Sequence, residues 1–362
     1  MNGGQAPSPP RSCRGWLVFA LLTLAACAPT TELSAKRAET GAAGTSLAAS
    51  IPARFTDHEF VTADGQRLPL RRWLPLGRAR AVILALHGFN DYSNAFDKPG
   101  KEWAAAGIAT YAYDQRGFGG APERGRWPGR AVLAADAAAA SEILRRLYPG
   151  TPLYLLGESM GGAVAIVAMT GESGTPIPDV DGLILAAPAV WGRPTMDFLP
   201  RVALWIGVRL APGLTLTGRG LHILASDNIP MLRALGRDPW VIKETRVDTI
   251  WGLANLMDAA LASAPRLRVR LLLMYGATDE IIPSRPIRRF IRTLPHDPRD
   301  FRSLAYYEHG HHMLLRDLDG AVVAGDVARW VLAPGEPLPS GADRDAFAAL
   351  LGGTTQASLG DR

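Results

Sequence analysis

Short, continuous apolar runs recur along this chain, and helix-like stretches separate most of them. Runs of this length are typical of strands buried on both faces of a parallel sheet. A hairpin is predicted before them at Glu59–Trp73, with its turn at Asp64-Gly65. The alternation predicts an α/β fold with a mostly parallel central sheet and flanking helices. The six runs are Ala81–Leu86, Ile108–Tyr113, Pro152–Leu156, Gly182–Ala187, Arg270–Tyr275 and Ser303–Tyr307.

One interval interrupts this alternation. Between Ala187 and Arg270 there is no comparable run, and the segments are helix-like and rich in Leu, Trp and Met. One interpretation is that these segments are additional helices packed against the domain. Their place in the chain favours a helical cap inserted over the carboxyl edge of the sheet, at about residues 188–265.

Ser159 lies in the pentapeptide GESMG, between a strand-like and a helix-like stretch. A serine between glycines is either a nucleophile or a residue of a tight turn. At a sharp strand-to-helix turn the glycines relieve crowding, and the first N–H groups of the helix face developing negative charge. A second GES triplet ends at Ser173 but follows a helix-like stretch and lacks the later glycine, so we predict a loop residue there. The flanks therefore favour Ser159 as the nucleophile.

A serine nucleophile needs a base and a carboxylate. In one arrangement known on α/β sheets, the three residues follow each other along the chain in the order serine, acid, histidine. Asp279 and Glu280 come after the Arg270–Tyr275 run. Asp279 is nearer the strand end and is the predicted acid, whereas Glu280 is predicted to be a solvated surface charge. A histidine after the last run would share the sheet edge with Ser159, and spacing alone leaves His311 and His312 both open. The remaining histidines are His58, His87, His222, His296 and His309.

The loop after Ala81–Leu86 reads HGFN at 87–90. The backbone N–H of Phe89 is predicted to pair with that of Met160 around a tetrahedral oxyanion. Removing one such donor typically slows an enzyme about 10²–10³-fold. His87 is predicted to order this loop rather than to act as the base.

Five motifs in this order resemble those of an α/β-hydrolase of the monoacylglycerol lipase and lysophospholipase type, in the serine-aminopeptidase-like group. The resemblance covers residues 55–333 and implies the α/β-hydrolase fold with a cap. It also implies Asp279 as the acid and His312, rather than His311, as the base. The motifs are HGFN at 87–90, DQRGFG at 114–119, GESMGG at 157–162, GATDEIIP at 276–283 and GHHMLLRD at 310–317.

The activity implied is hydrolysis of carboxylic esters of monoacylglycerols or lysophospholipids through an acyl-enzyme on Ser159, with no metal or organic cofactor. Short-chain esterase, peptidase and acyltransferase activities on the same triad are alternatives, because specificity resides in the shape of the cap. A non-catalytic envelope lipoprotein is a further alternative, against which the intact triad positions argue.

The N-terminus has the parts of a secretory signal. Arg11 and Arg14 precede the apolar run Gly15–Leu24, which is shorter than the about 20 residues that span a bilayer. LAAC at 24–27 resembles the bacterial lipobox, which implies a lipoprotein signal at 1–26 and a lipidated Cys27. The alternative is an ordinary cleaved signal. Ala28 after Cys27 implies, by analogy with Gram-negative lipoproteins, the outer membrane.

The two ends of the chain differ in composition from its middle. Residues 27–54 are rich in Ala, Thr, Ser and Gly and are predicted to form a flexible tether. Residues 334–362 form a Pro/Gly-rich tail whose apolar patch Phe347–Leu351 would either dock as a helix or remain free. The formal net charge of +5 is scattered, which excludes nucleic acid as an expected partner. The expected partners are a lipid-type substrate and the membrane; the sequence does not indicate the oligomeric state.

Overall fold

A computed structural model of the chain describes residues 52–172, 174–218, 220, 223–295 and 302–352. The predicted signal at 1–26, Cys27 and most of the tether lie outside these ranges. Ser173, His222 and His296 also lie outside the described residues. The predictions made for them therefore stay predictions.

The described part of the chain contains a nine-stranded sheet in the order β1-β2-β3-β5-β4-β6-β7-β10-β11. Strands β1 to β3 pair antiparallel, and β3 pairs antiparallel with β5. All pairs from β5 to β11 are parallel. The predicted mostly parallel α/β sheet is confirmed. Its strands are β1 (Arg54–Phe55), β2 (Glu59–Val61), β3 (Arg67–Trp73), β4 (Ala81–Leu86), β5 (Ile108–Tyr113), β6 (Leu153–Glu158), β7 (Gly182–Ala186), β10 (Leu271–Gly276) and β11 (Arg302–Tyr307).

The predicted hairpin is β2 and β3. The amide of Gly65 donates to Thr62 O at 2.9 Å, and Gly65 has φ +79°, which a glycine adopts without steric cost. The edge strands pair antiparallel because such a short turn cannot make the crossover that a parallel pair requires.

Helices cover both faces of the sheet. Alternate residues of β4 point to opposite faces, so Val82 packs in one core cluster and Ile83 in the other. Both faces are buried, which is why the strand reads as an unbroken apolar run. The helices are α1 (Asp97–Ala105), α2 (Arg130–Leu147), α3 (Met160–Met169), α4 (Phe198–Leu210), α5 (Ile229–Arg237), α6 (Val247–Ser263), α7 (Ser284–Thr293), α8 (Gly320–Leu332) and α9 (Ala346–Leu351).

The interval predicted as the cap contains α4, α5 and α6, together with the two-stranded pair β8 (Thr215–Thr217) and β9 (Glu244–Arg246). Helix α6 packs against α3 and buries Ala254, Leu256 and Ala260 in the main core cluster. Helix α4 instead leaves Phe198 and Leu210 exposed. Strand β8 is exposed throughout and α5 contains no buried residue, so the peripheral part of this interval is α4, β8 and α5.

The described part of the tail is folded onto the domain. Helix α9 buries Leu350 and Leu351 in the main core cluster. Upstream of it, Tyr306 N donates to Ala342 O at 2.8 Å, which joins the tail to β11. The apolar patch thus docks as a helix.

Among the residues that the structure describes, no helix is both long enough and apolar enough to cross a bilayer.

Candidate active site

Ser159 lies at the turn from β6 into α3. Its φ of +52° belongs to a region that non-glycine residues seldom adopt, and such strain clusters at functional sites. The turn is held by two backbone hydrogen bonds of 2.9 Å, from Ser159 N to Ala186 O and from Ala189 N to Ser159 O. The serine therefore stands at the carboxyl end of β6 in a fixed backbone conformation.

The glycines on either side of Ser159 are required by close backbone approach. A Cβ atom on Gly157 would lie 2.4 Å from Gly161 O, and one on Gly161 would lie 2.1 Å from Leu86 O. Both distances are far below van der Waals contact. The reason predicted for the two glycines, crowding between strand and helix, is confirmed.

His312 and Asp279 form a buried pair. The Nδ1 atom of His312 lies 2.9 Å from Asp279 Oδ2, and the two side chains are 5% and 0% exposed. The other oxygen, Asp279 Oδ1, accepts from the amides of Ile281 and Ile282 at 2.8 and 2.9 Å. An Nδ1–H that donates to the carboxylate leaves Nε2 as the ring nitrogen that can accept a proton.

The pair and the serine lie at the same edge of the sheet, because β6, β10 and β11 run parallel. The last residue of β10 touches the loop after β11: a Cβ on Gly276 would lie 2.2 Å from Gly310 O. Within the described ranges, no hydrogen bond joins the Ser159 hydroxyl to the His312 ring. Such bonds are often long in enzymes without substrate and shorten in the complex.

The competing residues have other surroundings. Glu280 is exposed, and its carboxylate accepts from Leu224 N at 2.7 Å. His311 is half-buried, and its ring Nδ1 lies 3.9 Å from Asp317 Oδ2. His58 and His309 are exposed. None of them shares the buried contact between His312 and Asp279.

His87 orders the loop that follows β4. The ring is fully buried, its Nδ1 lies 2.8 Å from Gly88 O, and its Nε2 accepts from Gln115 N at 2.9 Å. Gln115 Nε2 returns a hydrogen bond of 2.8 Å to His87 O. Burial lowers the pKa of His87, which favours the neutral ring. With both nitrogens occupied, His87 has the ordering role predicted for it.

The loop that carries Phe89 runs beside Ser159. A Cβ on Gly88 would lie 3.4 Å from Ser159 Cβ. Met160 is the first residue of α3, and the first amides of a helix have no intrahelical acceptor. The loop is also tied to the interval predicted as the cap, since Asn90 Nδ2 donates to Thr245 Oγ1 at 2.7 Å.

An ionic contact that we did not predict joins these loops. Arg316 donates from Nη1 to Asp91 Oδ2 and from Nη2 to Glu158 Oε1, each at 2.6 Å. The sequence could have indicated this contact, because all three residues are charged and lie in or beside the motifs. Glu158 and Arg316 lie inside two of them, and Asp91 directly follows HGFN. Charged residues beside buried strands require partners.

A group of possible metal ligands lies nearby. The ligand atoms of Asp227, His311 and Asp317 all lie within 4.8 Å of one another. The carboxylates already accept protein hydrogen bonds, from Leu318 N to Asp227 and from Ser226 Oγ to Asp317. The His312–Asp279 pair does not include any of these residues.

Comparison with known proteins places this geometry among hydrolases. The chain is 27% identical over 288 residues to human monoglyceride lipase, an alignment that covers 78% of this chain and 92% of that protein. It is 26% identical over 298 residues to the monoacylglycerol lipase of Mycolicibacterium smegmatis, covering 77% of this chain and 97% of that one.

The fold is similar to that of the Paleococcus ferrophilus monoacylglycerol lipase, with a TM-score of 0.61 and 22% identity over 74% of this chain and 98% of that chain. The model of the family Hydrolase_4, described as serine aminopeptidase, S33, matches residues 77–319, which is more than half of the sequence. This chain is a member of that α/β-hydrolase family.

Proposed function

We propose that this chain, a carboxylic-ester hydrolase, cleaves acyl esters of the monoacylglycerol or lysophospholipid type with Ser159 as nucleophile, His312 as base and Asp279 as acid. The observation that carries the proposal is the buried 2.9 Å contact between His312 and Asp279, at the sheet edge where Ser159 occupies its strained turn. The relatives named monoglyceride or monoacylglycerol lipase support the class of substrate.

The first half-reaction forms the acyl-enzyme. Nε2 of His312 accepts the Ser159 hydroxyl proton while Oγ attacks the ester carbonyl carbon, and Asp279 stabilises the resulting imidazolium. The N–H groups of Phe89 and Met160 donate to the oxyanion of the tetrahedral intermediate. The C–O bond then breaks, and the proton passes from His312 to the departing alcohol.

The second half-reaction releases the acid. His312 accepts a proton from water as the water oxygen attacks the acyl carbon, and the same two amides stabilise the second tetrahedral intermediate. Collapse of that intermediate breaks the bond to Ser159 Oγ, which regains its proton from His312. The net result is one ester and one water converted to an acid and an alcohol.

The apolar character of the interval predicted as the cap supports a substrate with an acyl chain. Helix α4 exposes Phe198, Leu199, Ile206 and Leu210, which is unusual for a surface helix. A hydrocarbon chain gains free energy by leaving water for such surroundings, at roughly 0.8 kcal/mol for each buried CH₂ group.

The nucleophile is tested with a fluorophosphonate probe on the folded chain. We expect covalent labelling of the wild type and of Ser284→Ala, a serine substitution at the start of α7, and no labelling of Ser159→Ala. Hydrolysis should fall about 10⁴-fold or more in Ser159→Ala. Absence of labelling at Ser159 in folded wild-type protein would refute the enzyme assignment and favour a non-catalytic lipoprotein.

The substrate class is tested with p-nitrophenyl esters of increasing chain length, monoolein and lysophosphatidylcholine. Turnover should favour long acyl chains and include at least one of the two lipids. Turnover of acetate and butyrate esters alone would refute the lipid proposal and leave a short-chain esterase.

The same proposal places Cys27 as the lipidated first residue of the mature chain, which anchors the domain at the outer membrane of a bacterium. Support comes from the sequence LAAC at 24–27 and Ala28 after it. Several acyl chains on one residue give firm anchoring, whereas one chain alone binds marginally. Cys27→Ser should release the protein from membranes and abolish acyl labelling, while Cys13→Ser should change neither. Membrane-bound, labelled Cys27→Ser protein would overturn the anchor.

A further inference from the structure

Arg316 lies between two buried carboxylates at the carboxyl edge of the sheet. Its two terminal nitrogens each lie 2.6 Å from an oxygen, one of Asp91 and one of Glu158. The exposed fractions of the three side chains are 8%, 8% and 2%. Charged groups withdrawn from water to this extent interact far more strongly than exposed ion pairs.

The three residues lie in or directly beside the three segments to which the reaction is assigned. Glu158 directly precedes Ser159, Asp91 is two residues after Phe89, and Arg316 is four residues after His312. Arg316 N also donates to Met313 O at 2.7 Å, which closes the turn that follows His312. One guanidinium therefore links the nucleophile turn, the oxyanion loop and the base loop.

The arrangement fits orientation better than bulk stability. A buried ion pair typically adds little stability over apolar side chains of the same volume. A planar guanidinium with two occupied arms, by contrast, sets both the distance and the direction between its partners. The backbone carbonyl of Arg316 also accepts a hydrogen bond of 3.0 Å from Asn228 Nδ2, which connects Arg316 to the residue that precedes α5.

We propose that Arg316 is a positioning residue, which holds the Ser159 turn, the Phe89 loop and the His312 loop at the separation that the reaction requires. The inference rests on the proposed function, because it assumes that these three loops act on one substrate. Arg316 acts through Glu158 and Asp91 and does not touch the reacting atoms.

A residue that sets the separation of catalytic groups affects the chemical step more than substrate binding. We expect Arg316→Met to lower kcat for p-nitrophenyl butyrate about 10²-fold and to leave KM within about twofold of the wild type. Labelling by a fluorophosphonate should slow in parallel, because it also needs an activated Ser159. Arg316→Lys keeps the charge but lacks the two-armed fork, so its kcat should be lower by only about tenfold.

Arg116 provides the matched control. It also links two carboxylates, at 2.7 Å from Asp64 and 2.7 Å from Asp136, but these lie in the hairpin turn and in α2. Arg116→Met and Arg116→Lys should lower the thermal midpoint and leave kcat within about threefold of the wild type. This comparison separates a loss of stability from a loss of positioning.

Three results would overturn the inference: a kcat for Arg316→Met within about threefold of the wild type, an equal kcat loss in Arg116→Met, or a loss confined to KM. If Arg316→Met does not fold, the test is the comparison of Arg316→Lys with Arg116→Lys. Equal kcat values for these two variants would overturn the inference. An inactive wild-type chain would overturn the proposed function and this inference with it, whereas an active wild type with an unimpaired Arg316→Met overturns this inference alone.

Discussion

Nδ1 of His312 lies 2.9 Å from Asp279 Oδ2, while Asp279 Oδ1 accepts hydrogen bonds from the backbone amides of Ile281 and Ile282. The carboxylate is thereby fixed in direction and receives its hydrogen bonds from groups that cannot rotate away. A histidine that donates to such a carboxylate keeps one tautomer, and the opposite ring nitrogen stays free to move a proton.

The first prediction concerns Asp279, the proposed acid. Asp279→Asn can turn its amide NH₂ toward His312 Nδ1 and favour the wrong tautomer, so kcat should fall about 10⁴-fold with little change in fold. The measurement is steady-state hydrolysis of p-nitrophenyl butyrate. Glu280→Gln, the exposed neighbour, is the control and should keep nearly all activity. A Glu280→Gln defect equal to that of Asp279→Asn would reverse the assignment.

The second prediction separates the two adjacent histidines. His312→Gln should lower kcat about 10⁴-fold or more, because no other described histidine ring contacts Asp279. His311→Gln should retain activity, since the contact of residue 311 with Asp317 at 2.7 Å comes from its backbone amide. Circular dichroism establishes that both variants fold. A larger loss in His311→Gln would identify that residue as the base.

The third prediction concerns Gly161, two residues after the proposed nucleophile Ser159. Gly161→Ala would bring a Cβ within 2.1 Å of Leu86 O and 2.9 Å of His87 O, and these backbone atoms leave it little room to relax. The free energy of unfolding should fall by about 3 kcal/mol or more, with loss of fluorophosphonate labelling. Gly325→Ala in α8, which meets open space, should instead raise stability by up to about 1 kcal/mol. Urea unfolding of both variants checks the contrast.

The fourth prediction is a pH dependence of stability. The hydrogen bond from Arg116 lowers the pKa of Asp64 from 3.8 to about 2. A lowered carboxyl pKa stabilises the folded state above pH 3.8, and this stabilisation is lost as pH falls toward 2. Because Asp64 is 58% exposed, the gain should be below about 1 kcal/mol.

Thermal unfolding of the wild type and Asp64→Asn tests this dependence. The wild type should have the higher midpoint at pH 5 and pH 7. The difference should disappear near pH 2. A difference that persists unchanged at that pH would show that Asp64 stabilises the fold in another way.

The buried strands could be predicted closely because both of their faces pack in the core, so nearly all of their residues are apolar. Strands β4 and β5 have the predicted bounds, but β6 extends two residues further, through Gly157 and Glu158. The pair β8 and β9 was not predicted, since β8 is exposed throughout and has no apolar pattern. Helix α8 begins at Gly320, after the separate helical turn Leu314–Arg316.

The sequence by itself determined the α/β class, the elbow at Ser159 and the preference for Asp279 over Glu280. Each of these depends on spacing and polarity along a short stretch of chain. Only the tertiary structure decided that Arg316 joins Asp91 and Glu158, that His312 contacts Asp279, and that the tail docks through α9. The physical reason is that a side chain's partner depends on how parallel strands bring distant loops to one edge, and local periodicity carries no information about that distance.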